Sequence, residues 1–289
     1  GINMSAGQLL VGTGVTIGVA GIATFRTGRI DLGDAQRNTS LGQNAGNSFS
    51  GTNAADNTLI GYDAGTAITT GDGNTGLGAY SLASNTTAGN NTAVGYYALY
   101  ANTTGTNNTS VGRNALDANT TANNNTAVGY QALTANTTGT KNTALGANAL
   151  DANTTGNYNT AIGEAALIAN TTADHNVAYG YGAMYSNTTG TRNHAFGNNA
   201  LYANTTGSQL AAIGYNSLRF NTTGTDNTAV GNYALQANTT GSNNVGIGVS
   251  ALVASTTASG NTAVGWKSQL RTTTGSGNIS VGQNTLENI

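Results

Sequence analysis

The chain has 289 residues, of which only 7% are charged, with a net charge of −2, 42 glycines, and neither proline nor cysteine. An ordinary soluble domain carries about 25% charged residues, so this chain offers no basic footprint for nucleic acid and no polybasic patch for an anionic membrane. The lack of cysteine excludes disulfides and thiolate metal sites and leaves the compartment open.

Residues 1–37 do not repeat. Gly1 in place of Met is expected of a processed chain or a fragment. Leu9 to Phe25 is uncharged and about as long as a minimal membrane span. Its glycines at 12, 14, 18 and 21 and its β-type runs Val15-Thr16-Ile17 and Ile22-Ala23-Thr24-Phe25 predict short strands instead. Residues 1–37 are therefore expected to be a β-rich attachment or assembly segment, with Val15, Ile17, Ile22 and Phe25 as its assembly residues.

Residues 38–289 form a repeat array, beginning at Asn38-Thr39-Ser40-Leu41-Gly42. Two residues are added near Ser48–Thr52, and from about residue 57 the period is strictly 17. The unit is typified by Asn91 to Asn107; its positions are called columns 1 to 17 below. Column 5 is glycine from Gly61 through Gly95, Gly112 and Gly129 to Gly282, with no insertion or deletion. A fixed period of this kind marks a stacked architecture.

The columns state the physics of the unit. Column 4 is always apolar, as in Val94, Val111, Val128, Leu145 and Ile162. Column 9 is nearly always leucine, as in Leu99, Leu116, Leu133, Leu150 and Leu167, with Met184 substituting and Gly65 and Gln269 as exceptions. Column 1 is asparagine (Asn91, Asn108, Asn125), apart from Leu210. Columns 13 and 14 are Thr-Thr in each complete unit, as in Thr103-Thr104 and Thr120-Thr121.

Helical repeats usually need about 33–47 residues for two helices and a turn. Glycine and paired threonines also disfavour helix. Seventeen residues suit one coil of short strands and tight turns. Around column 4, columns 2, 4 and 6 share one face and columns 1, 3 and 5 the other, the alternation of a half-buried strand. The array is thus predicted to be an all-β parallel β-solenoid (a β-roll or β-helix) of 17-residue coils. Columns 4 and 9 are expected to form two apolar core files. Columns 1, 13 and 14 are expected to form polar ladders between coils about 4.8 Å apart. So few large apolar side chains per coil make a thin core, which favours oligomerisation.

Little in the array looks like chemistry. His175 and His194 occupy different columns, and Asp117 and Asp151 are two coils apart, which reads as solvated surface rather than an acid–base pair. Gly246-Ile247-Gly248 has no helix after it to hold phosphate, and the glycine–aspartate spacing of calcium-binding solenoids is absent. The reading is non-enzymatic, without cofactor or metal. The Asn-Thr-Thr triplets from Asn85 to Asn238 satisfy the N-glycosylation sequon, but they read better as turns, because sugars in successive coils would crowd. Threonine files raise ice binding, yet columns 13 and 14 point to opposite sides and column 16 is threonine only at Thr106, Thr140, Thr191 and Thr225. Column 6 carries Tyr62, Tyr96, Tyr130, Tyr181 and Tyr215, either a stacking surface for glycan or a cover over apolar surface.

Asn91-Thr92-Ala93-Val94-Gly95, Asn125-Thr126-Ala127-Val128-Gly129 and Asn159-Thr160-Ala161-Ile162-Gly163 resemble the repeat of trimeric autotransporter adhesin (YadA-like) heads. The longer unit, with its Ala-Leu and Asn-Thr-Thr-Gly elements, resembles repeat regions of bacteriophage tail-fibre-like proteins. These resemblances imply a left-handed coil, a homotrimer, and an extracellular or virion location on a fibre that meets a cell-surface receptor or glycan. The alternative is a bacterial adhesin or self-assembling filament, polymerising end to end through residues 1–37 by strand addition.

Overall fold

The computed structural model describes residues 36–49 and 53–286. Over these residues the chain is an all-β parallel solenoid with no helix. Fifteen strands of three residues, from β1 (Thr39–Leu41) to β15 (Ile279–Val281), form one sheet whose order is the order of the chain. β1 meets β2 (Thr58–Ile60) with Thr39 opposite Thr58, so the two added residues fall between these strands. Every later pair keeps the 17-residue register, as Thr92 opposite Thr109.

The strands are short, but the ladder runs round the whole coil. In the unit from Asn91, the amides of Thr92, Leu99, Ala101 and Thr103 donate to carbonyls of the next coil, at Asn108, Ala115, Asp117 and Thr120. The amides of Gly95, Tyr97 and Asn107 donate back to Leu77, Ala79 and Gly89 of the coil before. Stacking therefore satisfies the backbone at positions with no regular strand geometry.

Corners are made by left-handed residues at columns 7, 9 and 17, such as Tyr97 (φ 58°), Leu99 (φ 53°) and Asn107 (φ 58°). This explains why the two apolar columns differ in residue type. A β-branched side chain is a steric outlier at positive φ, so column 9 uses Leu or Met. Column 4 lies in the strand, where Val and Ile fit the pleat. A leucine in this conformation costs roughly 1–2 kcal/mol; complete burial of its side chain, worth about 1.5–3 kcal/mol, offsets that. At column 5, Gly95 has φ 138°, and a Cβ there would lie 2.5 Å from the carbonyl oxygen of Gly112. Only glycine lets adjacent coils approach at this corner.

The interior holds columns 1, 3, 8, 9 and 12. Asn91, Ala93, Ala98, Leu99 and Asn102 are all fully buried, and one apolar cluster continues from Leu82 to Ala263. Leu99, Leu116, Leu133, Leu150 and Leu167 lie in that cluster. Val94, Val111, Val128, Leu145 and Ile162 do not. They point outward, half-buried in four cases and 47% exposed at Leu145. The expected alternation is present, with its sides reversed: alanine faces in and the larger aliphatic faces out. The reason is width. At Gly246, a column 3 glycine, an added Cβ would already lie 3.2 Å from Leu235 Cγ, so the column 9 leucine leaves space for a methyl group and little more.

The coil around Gly65 shows the same constraint inverted. Here column 9 is glycine, column 3 is Leu59 and column 12 is Ile68, both fully buried. A Cβ at Gly65 would sit 2.6 Å from Leu59 Cδ1 and 2.9 Å from Ile68 Cδ1. The apolar volume has moved to the opposite walls, which accounts for that exception.

Candidate interaction surface

Two asparagine files run through the interior. In column 1, Oδ1 of Asn91 accepts the backbone amide of Asn108 at 2.9 Å, and Asn108 serves Asn125 in the same way. In column 12, where the Asn-Thr-Thr triplet predicts a turn, the asparagine is an interior rung: Asn102 Nδ2 donates to Asn85 Oδ1 at 2.7 Å. The carbonyl of Gly105 joins the two files, accepting from Asn91 Nδ2 and from Asn102 Nδ2, each at 2.9 Å. Buried polar groups that are paired in this way avoid the cost of desolvation. The same burial answers the sequon reading. From Asn85 to Asn238 every sequon asparagine is fully buried, and its amide nitrogen is held by a carbonyl.

The two threonine columns behave differently. Thr103 Oγ1 donates to the Thr120 carbonyl at 3.1 Å, and Thr120 Oγ1 to Thr137 at 3.2 Å. Thr104 and Thr121 stand exposed beside them. Val15, Ile17, Ile22 and Phe25 lie outside the described residues.

Among the described residues no group of three or more His, Asp or Glu could hold a metal ion. His175 stacks on Tyr158, ring centroids 5.0 Å apart, while His194 lies on the strand face. Partial burial raises the carboxyl pKa of Asp117 and of Asp151 above the ordinary 3.8, opposed by hydrogen bonds from Asn114 and Thr134 respectively. Arg37 grips Asp56 with two bonds of 2.6 and 2.7 Å, which holds the carboxyl below its ordinary range. That pair is exposed, so it contributes little to stability.

Two outward surfaces remain. The first is the strand face, built from columns 2 and 4. Its threonines and aliphatics alternate with the buried alanines, as in Thr92-Ala93-Val94. The second is a group of five tyrosines at the corner beyond column 5. Tyr96 and Tyr97 approach to 4.4 Å between ring centroids, Tyr80 and Tyr97 to 4.9 Å, and Tyr97 and Tyr100 to 4.7 Å, with Tyr62 at 5.3 Å from Tyr80. Mutual shielding from water pushes the Tyr80 and Tyr97 hydroxyls above the ordinary 10.0. Column 6 alone gave Tyr62 and Tyr96. Tyr80, Tyr97 and Tyr100 join them because columns 7 and 10 come alongside column 6 across the corner.

No helix among the described residues is long and apolar enough to cross a membrane. No family model, curated protein or solved structure matches the chain.

Proposed function

We propose that the chain is a non-enzymatic structural protein, the shaft of a homotrimeric fibre or spike that presents an attachment end to a host cell or other surface. The observation that carries this reading is the continuity of the stack. Backbone and asparagine bonds link each coil to the next from Asn57 to Asn278. Such a ladder resists bending and stretching at every coil. The core beneath it is one leucine wide, which leaves lateral association as the ready source of further stability. The repeat resemblance supports three chains and a location outside the cell, on a virion or a cell surface.

Sedimentation and electron microscopy test the reading together. The expected result is a species of three times 28.8 kDa, seen as a rod about 70 Å long over the described coils. A monodisperse single chain at micromolar concentration would overturn it. A second reading, contact with a glycan receptor along the shaft, is favoured by the five-tyrosine group, since phenol rings supply rigid amphipathic surface. Replacing Tyr80 and Tyr97 by serine is expected to abolish retention on immobilised bacterial surface polysaccharide. Unchanged retention discards that reading.

A further inference from the structure

We infer that the outward strand face, columns 2 and 4, is the seam along which copies of this chain meet, parallel and with equal coils level. The inference rests on the shaft reading and names the surface that builds the shaft.

Column 4 forms an apolar file on the outside of the chain from Ile60 to Val281. Leu77, Leu145, Ile213 and Ile247 are 46%, 47%, 44% and 39% exposed. A contiguous apolar tract of this length marks an interaction site on a soluble chain. Columns 2 and 4 contain no Asp, Glu, Lys or Arg between Thr58 and Val281. Charges occur instead at the flanking and opposite columns: Arg113 and Glu164 in column 6, Asp117 and Asp151 in column 10, Lys141 and Arg192 in column 17. The strand face is therefore neutral, as is the threonine wall of columns 13 and 14, but of the two only the strand face also carries an apolar file. A nucleic acid, an acidic polymer or a charged membrane finds no complement there.

Period selects the partner. The file repeats about every 4.8 Å along the axis, and a surface of any other rise drifts out of step within a few coils. A second copy has the same rise by construction. The strand tract is about 10 Å wide and about 65 Å long, or roughly 650 Å² per copy, near the ~800 Å² per partner of a stable interface. Column 6 side chains flank it. Rotational symmetry about the rod axis, at whatever order it closes, sets each coil against its own equivalent, and the shaft reading takes that order as three. An antiparallel pair closes at two.

The substitutions that test this lie outside the core, so the fold is expected to survive them. Val128→Lys/Ile162→Lys is expected to keep the β-type circular dichroism of the parent and to sediment as a single chain. Assembly equal to the parent's overturns the seam and leaves the shaft reading standing, whereas a parent that never assembles overturns the shaft reading itself. The absence of native cysteine makes single-cysteine variants clean reporters. Under mild oxidation Val94→Cys is expected to cross-link between chains and the column 14 variant Thr104→Cys is not. Equal cross-linking of both variants overturns the seam. Cross-linking at Ile162→Cys, in the middle strand of the fifteen, without cross-linking at Val94→Cys overturns the parallel register.

Discussion

The coils from Asn85 to Asn238 and those around Ser255 and Thr272 share one unit and one backbone ladder, yet their interiors are not equally matched. In the first set each column 12 side chain spans to its neighbour: Asn136 Nδ2 reaches Asn119 Oδ1 at 2.9 Å and the Gly139 carbonyl at 3.0 Å, while its own Oδ1 accepts from Asn153. At Ser255 and Thr272 the shorter hydroxyls do not reach, and Ser255 Oγ, Thr272 Oγ1 and Asn238 Oδ1 are buried without partners. Column 9 changes in the same region. Gln269 replaces leucine, its amide donating to Ser280 Oγ at 3.1 Å and its Oε1 left unsatisfied. In column 12 a carboxamide spans from side chain to side chain between coils about 4.8 Å apart, and a hydroxyl there is too short. The ladder thus depends on both rungs being asparagine, and the coils past Asn238 are the weaker part of the array.

The comparison is broken most severely at the coil-to-coil corner. Gly95→Ala is expected to destabilise the well-matched coils by about 3 kcal/mol or more, since the backbone lies in a glycine-only region and the new methyl meets the Gly112 carbonyl. Local hydrogen exchange reads this directly, as faster exchange on both sides of residue 95. Leu150→Ala is expected to cost about 2–5 kcal/mol, and Gln269→Leu is expected to stabilise, narrowing the difference between the regions. Thermal unfolding of the two variants checks the opposite signs.

Asn136→Ala leaves the buried Asn119 Oδ1 without its donor, at an expected cost of about 1–3 kcal/mol, while the Gly139 carbonyl keeps Asn125 Nδ2 and Asn153 Nδ2 keeps the Gly156 carbonyl. Ser255→Asn runs the other way: it extends the file past Asn238 and is expected to slow exchange around residues 238–272. If it does not, rung length is the wrong explanation for the weaker coils.

The smallest effect is electrostatic. Asp117 and Asp151 have raised pKa values in the fold because they are partly buried. A raised carboxyl contributes stability that is complete below its unfolded pKa and is lost as pH rises through the folded one. Asp117→Asn is therefore expected to stabilise slightly at neutral pH, with the gain vanishing on acidification below about 3.8, the ordinary Asp value. Urea midpoints at pH 7 and pH 3 test the sign.

Much of this is legible in the sequence. Strict spacing of Gly95, Gly112 and Gly129 implied equal coils, and Asn91, Asn108 and Asn125 implied a ladder, because like residues in a stack must meet like. Column 12 was legible as a turn and illegible as an interior file, since Asn-Thr-Thr carries a local turn signal that masks a bond 17 residues away. The tyrosine group was legible only in part, because a column count does not tell which columns meet across a corner.

What the sequence determined by itself is the period, the parallel stacking of short strands and the identity of the repeated files. These follow from a unit too short for helix pairs and from alternation over Thr92, Ala93 and Val94. What only the tertiary structure decided is which side of that strand is inside. Val94 is more apolar than Ala93, and hydrophobicity alone places it in the core. The Leu99 file, held in a left-handed corner, fills the narrow interior and leaves room for alanine but not for valine.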